Sequence, residues 1–368
     1  MSIFKSLWVV CLLFLGGCTR QSEFSVETVP EYDSLFNREN GWIGSDIASS
    51  IPINGNRTLW LFGDTWIGKI RAGKRVDATI VNNTIAIQKG NVPAKAELEF
   101  YYPVNKGKPS SFLTPSGDKG FFWLSHGGIL TRKGLFLFMS RVIKLPGDDS
   151  VFGFKSMGLT MARIQNPEDS PSRWRITQRV VPWVKFSPDG TEIVFGQPLL
   201  KVGGMIYVYG LETNAKEHNR YLLLARVQED RLEDFDAWRF YSDGKWQTDF
   251  MKASRLADHF GAEFSVSYQP ALHNYVAIYT ENGLSKNIMS RFAAAPEGPW
   301  SKPRIVYKCP EMDWNSHYFC YAAKGHPELS LHKDELLVSY VCNADDFWKM
   351  AADTRIYRPK FIKVKFRS

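Results

Sequence analysis

Apolar residues along this chain gather in short runs, not helical stripes. Pairs of β-branched or aromatic runs recur, each joined by a Gly, Asn or Asp turn, as β-hairpins require. Examples are "RTLWLFGD" (57–64), "GFFWLSHGGILTRKGLFLFMSRV" (120–142) and "GGMIYVYGLETNAKEHNRYLLLARV" (203–227), then "FSVSYQPALHNYVAIYT" (264–280) and "HPELSLHKDELLVSYVC" (326–342). Only "EDRLEDFDAWRFY" (229–241) and "DFMKASRLADHF" (249–260) approach a helical period, and both are short. Less regular stretches with a tryptophan follow the hairpins, among them "SRWRI", "DGKWQTD" and "EGPWSKP". Successive units lie roughly 50 to 60 residues apart, the spacing of repeated sheets. The runs do not alternate cleanly, so both faces of each sheet should be buried, whereas a two-sheet sandwich buries one face per sheet. Five such units predict an all-β fold, a five-bladed β-propeller in a single domain over residues 40–368. The C-terminal "TRIYRPKFIKVKF" reads as the strand that closes the ring. "FSPDGTEIVFG" (186–196) reads as a tight hairpin turn.

The N-terminus has a different pattern. Lys5 precedes "LWVVCLLFLGGC", an apolar stretch of secretory-signal length, too short to span a bilayer. It ends in Leu15-Gly16-Gly17-Cys18, which resembles the bacterial lipobox, in which the cysteine is acylated and becomes the new N-terminus. Residues 1–17 are therefore expected to be a lipoprotein signal peptide, and 18–39 a lipidated Cys18 with a polar tether. Thr19-Arg20 follow the cysteine, not the Asp that favours inner-membrane retention, so an outer-membrane address is expected. Of five cysteines, Cys309, Cys320 and Cys342 remain, enough for one disulfide with one thiol over, Cys309/Cys320 being the first choice.

With 46 basic and 38 acidic residues the chain carries +8, a diffuse surplus that suits an anionic neighbour. No dense Lys/Arg run, recognition helix or zinc-finger spacing points to nucleic acid. No CxxC, HxxxH or HExxH is present, and no metal or other cofactor is expected.

The candidate chemistry lies in "GWIGSDIASSIPINGNRTLWLFGDTW" (41–66). With "NGN" as the loop, position sums of 110 set Asp46 opposite Asp64 on one face. Directly opposed Cβ atoms are about 4.5 to 5.5 Å apart, and two carboxylates that close do not both ionise freely. Such a pair supplies an acid and a base, as glycoside hydrolysis requires. The alternative is that both merely cap strand ends through backbone hydrogen bonds.

The segment "GSDIASSIPINGNRTLWLFGDTW" resembles the opening blade of propellers in the domain-of-unknown-function 4185 family and its relatives, which carry an "(F)FGDT" ending. "NNTIAI" (82–87), "RFAAAPEGPWSKPRIVY" (291–307) and "GHPELSLHKDELLVSYVCN" (325–343) extend the resemblance over most of the chain. Members with an assigned activity are endo-acting D-arabinan hydrolases. The resemblance implies that Asp46 and Asp64 are the catalytic pair, and leaves the substrate open because the first motif here reads "SDIASS".

Other residues are candidates for the same mouth. Glu263 begins a strand-like run and could be a third catalytic carboxylate, or a capping group. Trp42 and Trp66 flank the pair and could stack on a sugar, whereas Trp60, Trp123 and Trp300 read as core. His126, beside two glycines, could bind substrate or sit in a turn; His326 offers the same choice. Arg291 could hold a sugar hydroxyl or tie adjacent sheets. These residues point to a lipid-anchored glycoside hydrolase acting on a polysaccharide or oligosaccharide. A non-catalytic glycan- or protein-binding propeller is the main competitor, and a lyase on acidic polysaccharide a weaker one.

Overall fold

The computed structural model describes residues 24–367 apart from 118, 126, 149 and 151. The signal segment, Cys18 and His126 therefore lie outside the described residues. Among the described residues no helix is long and apolar enough to cross a membrane.

The fold is all-β. After strand β1 (Phe24–Thr28) and helix α1 (Pro30–Leu35) come β2 (Asn40–Ser45), β3 (Ser49–Asn54), β4 (Arg57–Phe62), β5 (Thr65–Arg71), β6 (Lys74–Val81), β7 (Thr84–Lys89) and β8 (Glu97–Tyr101). Sheet I is β3-β4-β7-β8, and β2, β5 and β6 form a three-stranded stem sheet. Sheet II spans Phe121–Val181, sheet III Val184–Gln247 and sheet IV Phe264–Lys308. Sheet V joins Tyr318–His326, Glu335–Ala344 and Lys360–Phe366 to β1 from the other end of the chain. All the pairings are antiparallel. The inner strands touch in a closed cycle: β3 beside Gly128–Thr131, that strand beside Thr191–Val202, then Phe264–Gln269, then Tyr318–His326, and back to β3.

The unbroken apolar runs follow from this cycle. Side chains alternate along a strand, so odd and even residues enter different cores. In β4, Leu59 and Leu61 pack between sheets I and II, while Trp60 and Phe62 pack between sheets V and I. In Gly134–Lys144, Leu135, Leu137 and Met139 face sheet I, and Phe136 and Phe138 face sheet III. Leu222 and Leu224 face sheet IV, whereas Leu223 and Ala225 face sheet II. Val276 and Ile278 pack towards sheet V, with Ala277 and Tyr279 towards sheet III. Neither face of such a sheet meets water.

Three expectations change. Residues 24–39 are not a tether: β1 pairs with Lys360–Phe366 as the outer strand of sheet V, and Tyr32 and Phe36 are buried. The disulfide joins Cys320 to Cys342, leaving Cys309 as a buried free thiol. Cys320 and Cys342 are direct cross-strand partners, a relation that spacing in sequence does not display. The two near-helical stretches form only short 3-10 turns, at Glu229–Arg231, Phe235–Ala237 and Phe250–Lys252.

Removing β1 exposes the unpaired edge of the C-terminal strand. A protein starting at Val29 should melt several degrees below one starting at Phe24 and aggregate sooner, measured by calorimetry and light scattering. Equal melting would show that β1 contributes nothing to closure.

Candidate active site

Three neighbouring strands break at the same level. β2 stops at Ser45 and β3 starts at Ser49; β4 stops at Phe62 and β5 starts at Thr65; β6 stops at Val81 and β7 starts at Thr84. Sheet I thereby gives way to the stem sheet, and the breaks set Asp46, Asp64 and Asn82 side by side. The register sum of 110 holds from Ser49↔Leu61 to Pro52↔Thr58, and again for Ser45↔Thr65 and Gly44↔Trp66. Between them the Asp46 amide donates to the Asp64 carbonyl at 3.3 Å, and the Gly63 amide to the Asp46 carbonyl at 3.2 Å. Thr65 tightens the turn by donating its hydroxyl to the Gly63 carbonyl at 2.8 Å. Gly63 is required here, since a Cβ would stand 2.4 Å from Asp46 Oδ1. Ile47 takes a φ of 54°, a costly conformation for a β-branched residue, and local strain of this kind gathers at functional sites.

The two carboxyls are held differently. Asp64 Oδ1 accepts from Trp123 Nε1 at 2.9 Å and Asn82 Nδ2 at 3.2 Å. Asp46 Oδ2 accepts from the Tyr321 hydroxyl at 3.0 Å, while its buried Oδ1 has no hydrogen-bond partner among the described residues. Burial raises Asp64 to about 6, against the lowering pull of Trp123, Asn82 and Lys144. Asp46 rises well above the usual carboxylate range, first through burial and then through the neighbouring Asp64 charge, with Tyr321 offsetting part of this. The pair titrates as one unit, with Asp46 the stronger holder of the proton.

Glu263 stands at the head of the inner strand of sheet IV and is also raised, chiefly by burial, with Lys324 and Arg220 opposing. It acts electrostatically on Asp46 and on Tyr321. Sheet IV is not adjacent to sheet I in the cycle, so Glu263 reaches the pair from the far side. Tyr321 and Lys324 owe their common direction to a bulge: three steps from Tyr321 to Lys324 match two from Val341 to Ser339. Lys324 is buried and donates its Nζ to Ser49 Oγ and the Ser125 carbonyl. Burial lowers the amine to about 8, with Glu263 pulling it back up. Beyond Lys324 the inner strands of all five sheets enclose a cavity of about 750 Å³, whose lining includes none of the three carboxylates.

Of the expected site residues, the structure brings together Asp46, Asp64 and Glu263. Trp42 and Trp66 are buried at 2% and 5% exposure, against Phe100 and Phe347, so neither offers a face to a ligand. Both sit on stem strands, whose side chains point into the core (Trp42 into the sheet V–sheet I junction). Arg291 is a structural tie, bonded to Tyr279, the Ser301 carbonyl and Asp258. His326 lines the distal cavity, fixed between Ser50 and Ser339 and driven to about 3 by burial and Lys324. Trp60 and Trp300 are core, but Trp123 belongs to the site. Asn82, Tyr321 and Lys324 carried no local signal except that Asn82 opens "NNTIAI".

The fold and this cluster define an all-β protein with three converging carboxyls at one end of a cycle of sheets. The chain belongs to the family of the domain of unknown function 5005, whose sequence model matches residues 30–366. The motifs that resemble the 4185 family thus sit in a chain whose matched family is 5005. No curated protein matches the chain in sequence. Among solved structures it is similar to a "putative hydrolase" from Bacteroides ovatus ATCC 8483, with a TM-score of 0.72 at 18% identity, over 94% of this chain and 92% of that one. It is also similar to a family 117 glycoside hydrolase from the marine bacterium Zobellia galactanivorans, with a TM-score of 0.51 at 12% identity, over 93% and 90%. At these identities the likeness is one of fold.

Carboxyls with raised folded-state values stabilise the fold below their unfolded value and lose that contribution as pH rises through the folded one. Asp46→Asn should therefore raise the melting temperature at pH 8, by roughly one to three degrees, and change little at pH 4. Melting curves at the two pH values check this; a loss of stability at pH 8 would show that the carboxylate is structurally required.

Proposed function

We propose that this protein is a glycoside hydrolase acting on an oligosaccharide or polysaccharide, with Asp46, Asp64 and Glu263 as its acidic groups. The observation that carries the reading is the coincident break in three strands, which gathers two mutually perturbing carboxyls where a third approaches from across the ring. Glycosidic cleavage needs a protonated carboxyl at the leaving oxygen and an ionised one on the opposite face of the sugar. Asp64, near 6, is the group suited to be ionised at neutral pH. Glu263, raised by burial and set opposite, delivers its proton to the glycosidic oxygen. Asp64 then activates water against the anomeric carbon or attacks it directly, and Asp46 holds a proton beside it. If Asp64 activates the water, it takes the water's proton and releases it to solvent, from which Glu263 is reprotonated; if it attacks, water then hydrolyses the glycosyl ester on Asp64 and gives its proton to Glu263. The likeness in fold to a family 117 glycoside hydrolase supports this reading.

The five sheets are read as the blades of a five-bladed propeller closed by β1, with an arabinan-like furanoside as first candidate substrate. Cys18 is taken as the lipid attachment point, placing the protein on the cell envelope, at the outer membrane. Failure of a Cys18→Ala protein to lose incorporated fatty acid would count against that address.

Asp64→Asn, Asp46→Asn and Glu263→Gln should each lower turnover by roughly 10²- to 10⁴-fold with unchanged circular dichroism. Release of reducing ends from furanose-containing polysaccharides is the assay; full activity in all three variants would remove the assignment. The rate of the intact enzyme should fall as pH drops below about 6, because Asp64 then takes up its proton. A flat profile down to pH 4 would contradict its role as the ionised group.

A further inference from the structure

Trp42 and Trp66 are internal, yet the rim of the carboxylate site is aromatic. Trp123, the donor to Asp64, meets Phe154 edge-on with ring centroids 4.4 Å apart. Two residues earlier, Phe152 meets Phe319 at 6.0 Å. Phe319 in turn lies 5.7 Å from Tyr321, the donor to Asp46. Contacts run from Asp64 through Trp123 to Phe154 and from Phe152 through Phe319 and Tyr321 to Asp46, and the backbone joins the two arms into a circuit where the Phe154 amide donates to the Phe152 carbonyl at 2.8 Å.

The circuit crosses sheet boundaries. Phe152 and Phe154 come from the hairpin of sheet II, Phe319 from the inner strand of sheet V, and these two sheets flank sheet I, which carries both aspartates. Phe152 is 50% exposed and Trp123, Phe154 and Phe319 are only partly buried. A single exposed phenylalanine is ordinary. This one ends an arm of aromatic contacts that leads to a desolvated carboxyl.

We infer that this circuit is a subsite for one uncharged sugar ring, with Phe152 and Phe319 packing against its C–H face beside the carboxyls of Asp46 and Asp64. This rests on the hydrolase reading of the same carboxyls. A sugar offers an apolar face and a polar edge, and the circuit offers aromatic faces with carboxyl oxygens beneath them. A uronate would add another carboxylate to a place where burial already opposes charge on Asp46, Asp64 and Glu263. The occupant is therefore neutral.

The test uses the full-length protein carrying Asp64→Asn to stop turnover, titrated by calorimetry and tryptophan fluorescence with arabinan, galactan and agarose oligosaccharides and with oligogalacturonate. At least one neutral oligosaccharide should bind saturably and oligogalacturonate should not. Adding Phe152→Ala should weaken that binding about ten- to hundredfold, the range expected from losing one buried aromatic contact, and Phe152→Trp should restore it. In the otherwise intact enzyme Phe152→Ala should raise KM and leave kcat in place. Undiminished binding by Phe152→Ala, or preference for oligogalacturonate, overturns the subsite alone while hydrolysis by the intact enzyme still stands. Absence of binding by every sugar, together with absence of product, overturns the hydrolase reading with it.

Discussion

Burial of both faces of the middle strands in the sheets that touch in a cycle is the constraint from which the rest of the structure follows. A strand such as β4 sends Leu59 and Leu61 into one core and Trp60 and Phe62 into the next. A sheet with two apolar faces is stable only when flanked on both sides, and a row of such sheets avoids exposed ends by closing on itself. Closure here uses the two chain ends, with β1 laid against Lys360–Phe366. The hydrophobic effect that fills the junctions thus also fixes the converging inner strands.

Convergence puts polar side chains in a confined space, where their protonation is no longer ordinary. Asp46, Asp64, Glu263 and Lys324 come from sheets I, IV and V, and each is shifted mainly by loss of water. Asp46 and Asp64 differ through the Asp64 charge that opposes ionisation of Asp46 and through their hydrogen bonds. Asp64 has two side-chain donors and Asp46 one, so the first ionises more readily than the second. Lys324 lines the distal cavity and is electrostatically coupled to Glu263, its charge opposite to that of the carboxyls.

Irregularities in the backbone aim these groups. The strand breaks around Asp46 and Asp64, the left-handed Ile47 and the left-handed Ala322 in the bulge before Lys324 all lie within one neighbourhood, and Ile47, Ala322 and Val341 pack on one another. Regular pleating would alternate Tyr321 and Lys324 between faces. The bulge turns both toward the centre, and the core of neighbouring sheets holds it there.

The sequence by itself determined what depends on local pattern. Unbroken apolar runs joined by turns marked the strands, and a hairpin at "NGN" marked the register sum of 110 that carries Asp46 to Asp64; the turn itself is tighter, with Asn54 paired to Arg57, and a bulge at Ile53 restores that sum from Pro52 onward. "TRIYRPKFIKVKF" was legible as the last strand from the same kind of local pattern. Tertiary structure alone decided the rest. Trp123 and Tyr321 reach the aspartates from other sheets, Cys342 and not Cys309 faces Cys320 across a strand pair, and β1 finds its partner at the far end of the chain. Trp42 and Trp66 lie four and two residues from the acids and would share their face in a regular strand, yet they turn into the core, because a bulge between Trp42 and Gly44 and the strand breaks at Asp46 and Asp64 interrupt the alternation. Proximity along the chain orders residues within one hairpin; proximity across the ring depends on how five sheets close, and no short segment encodes that.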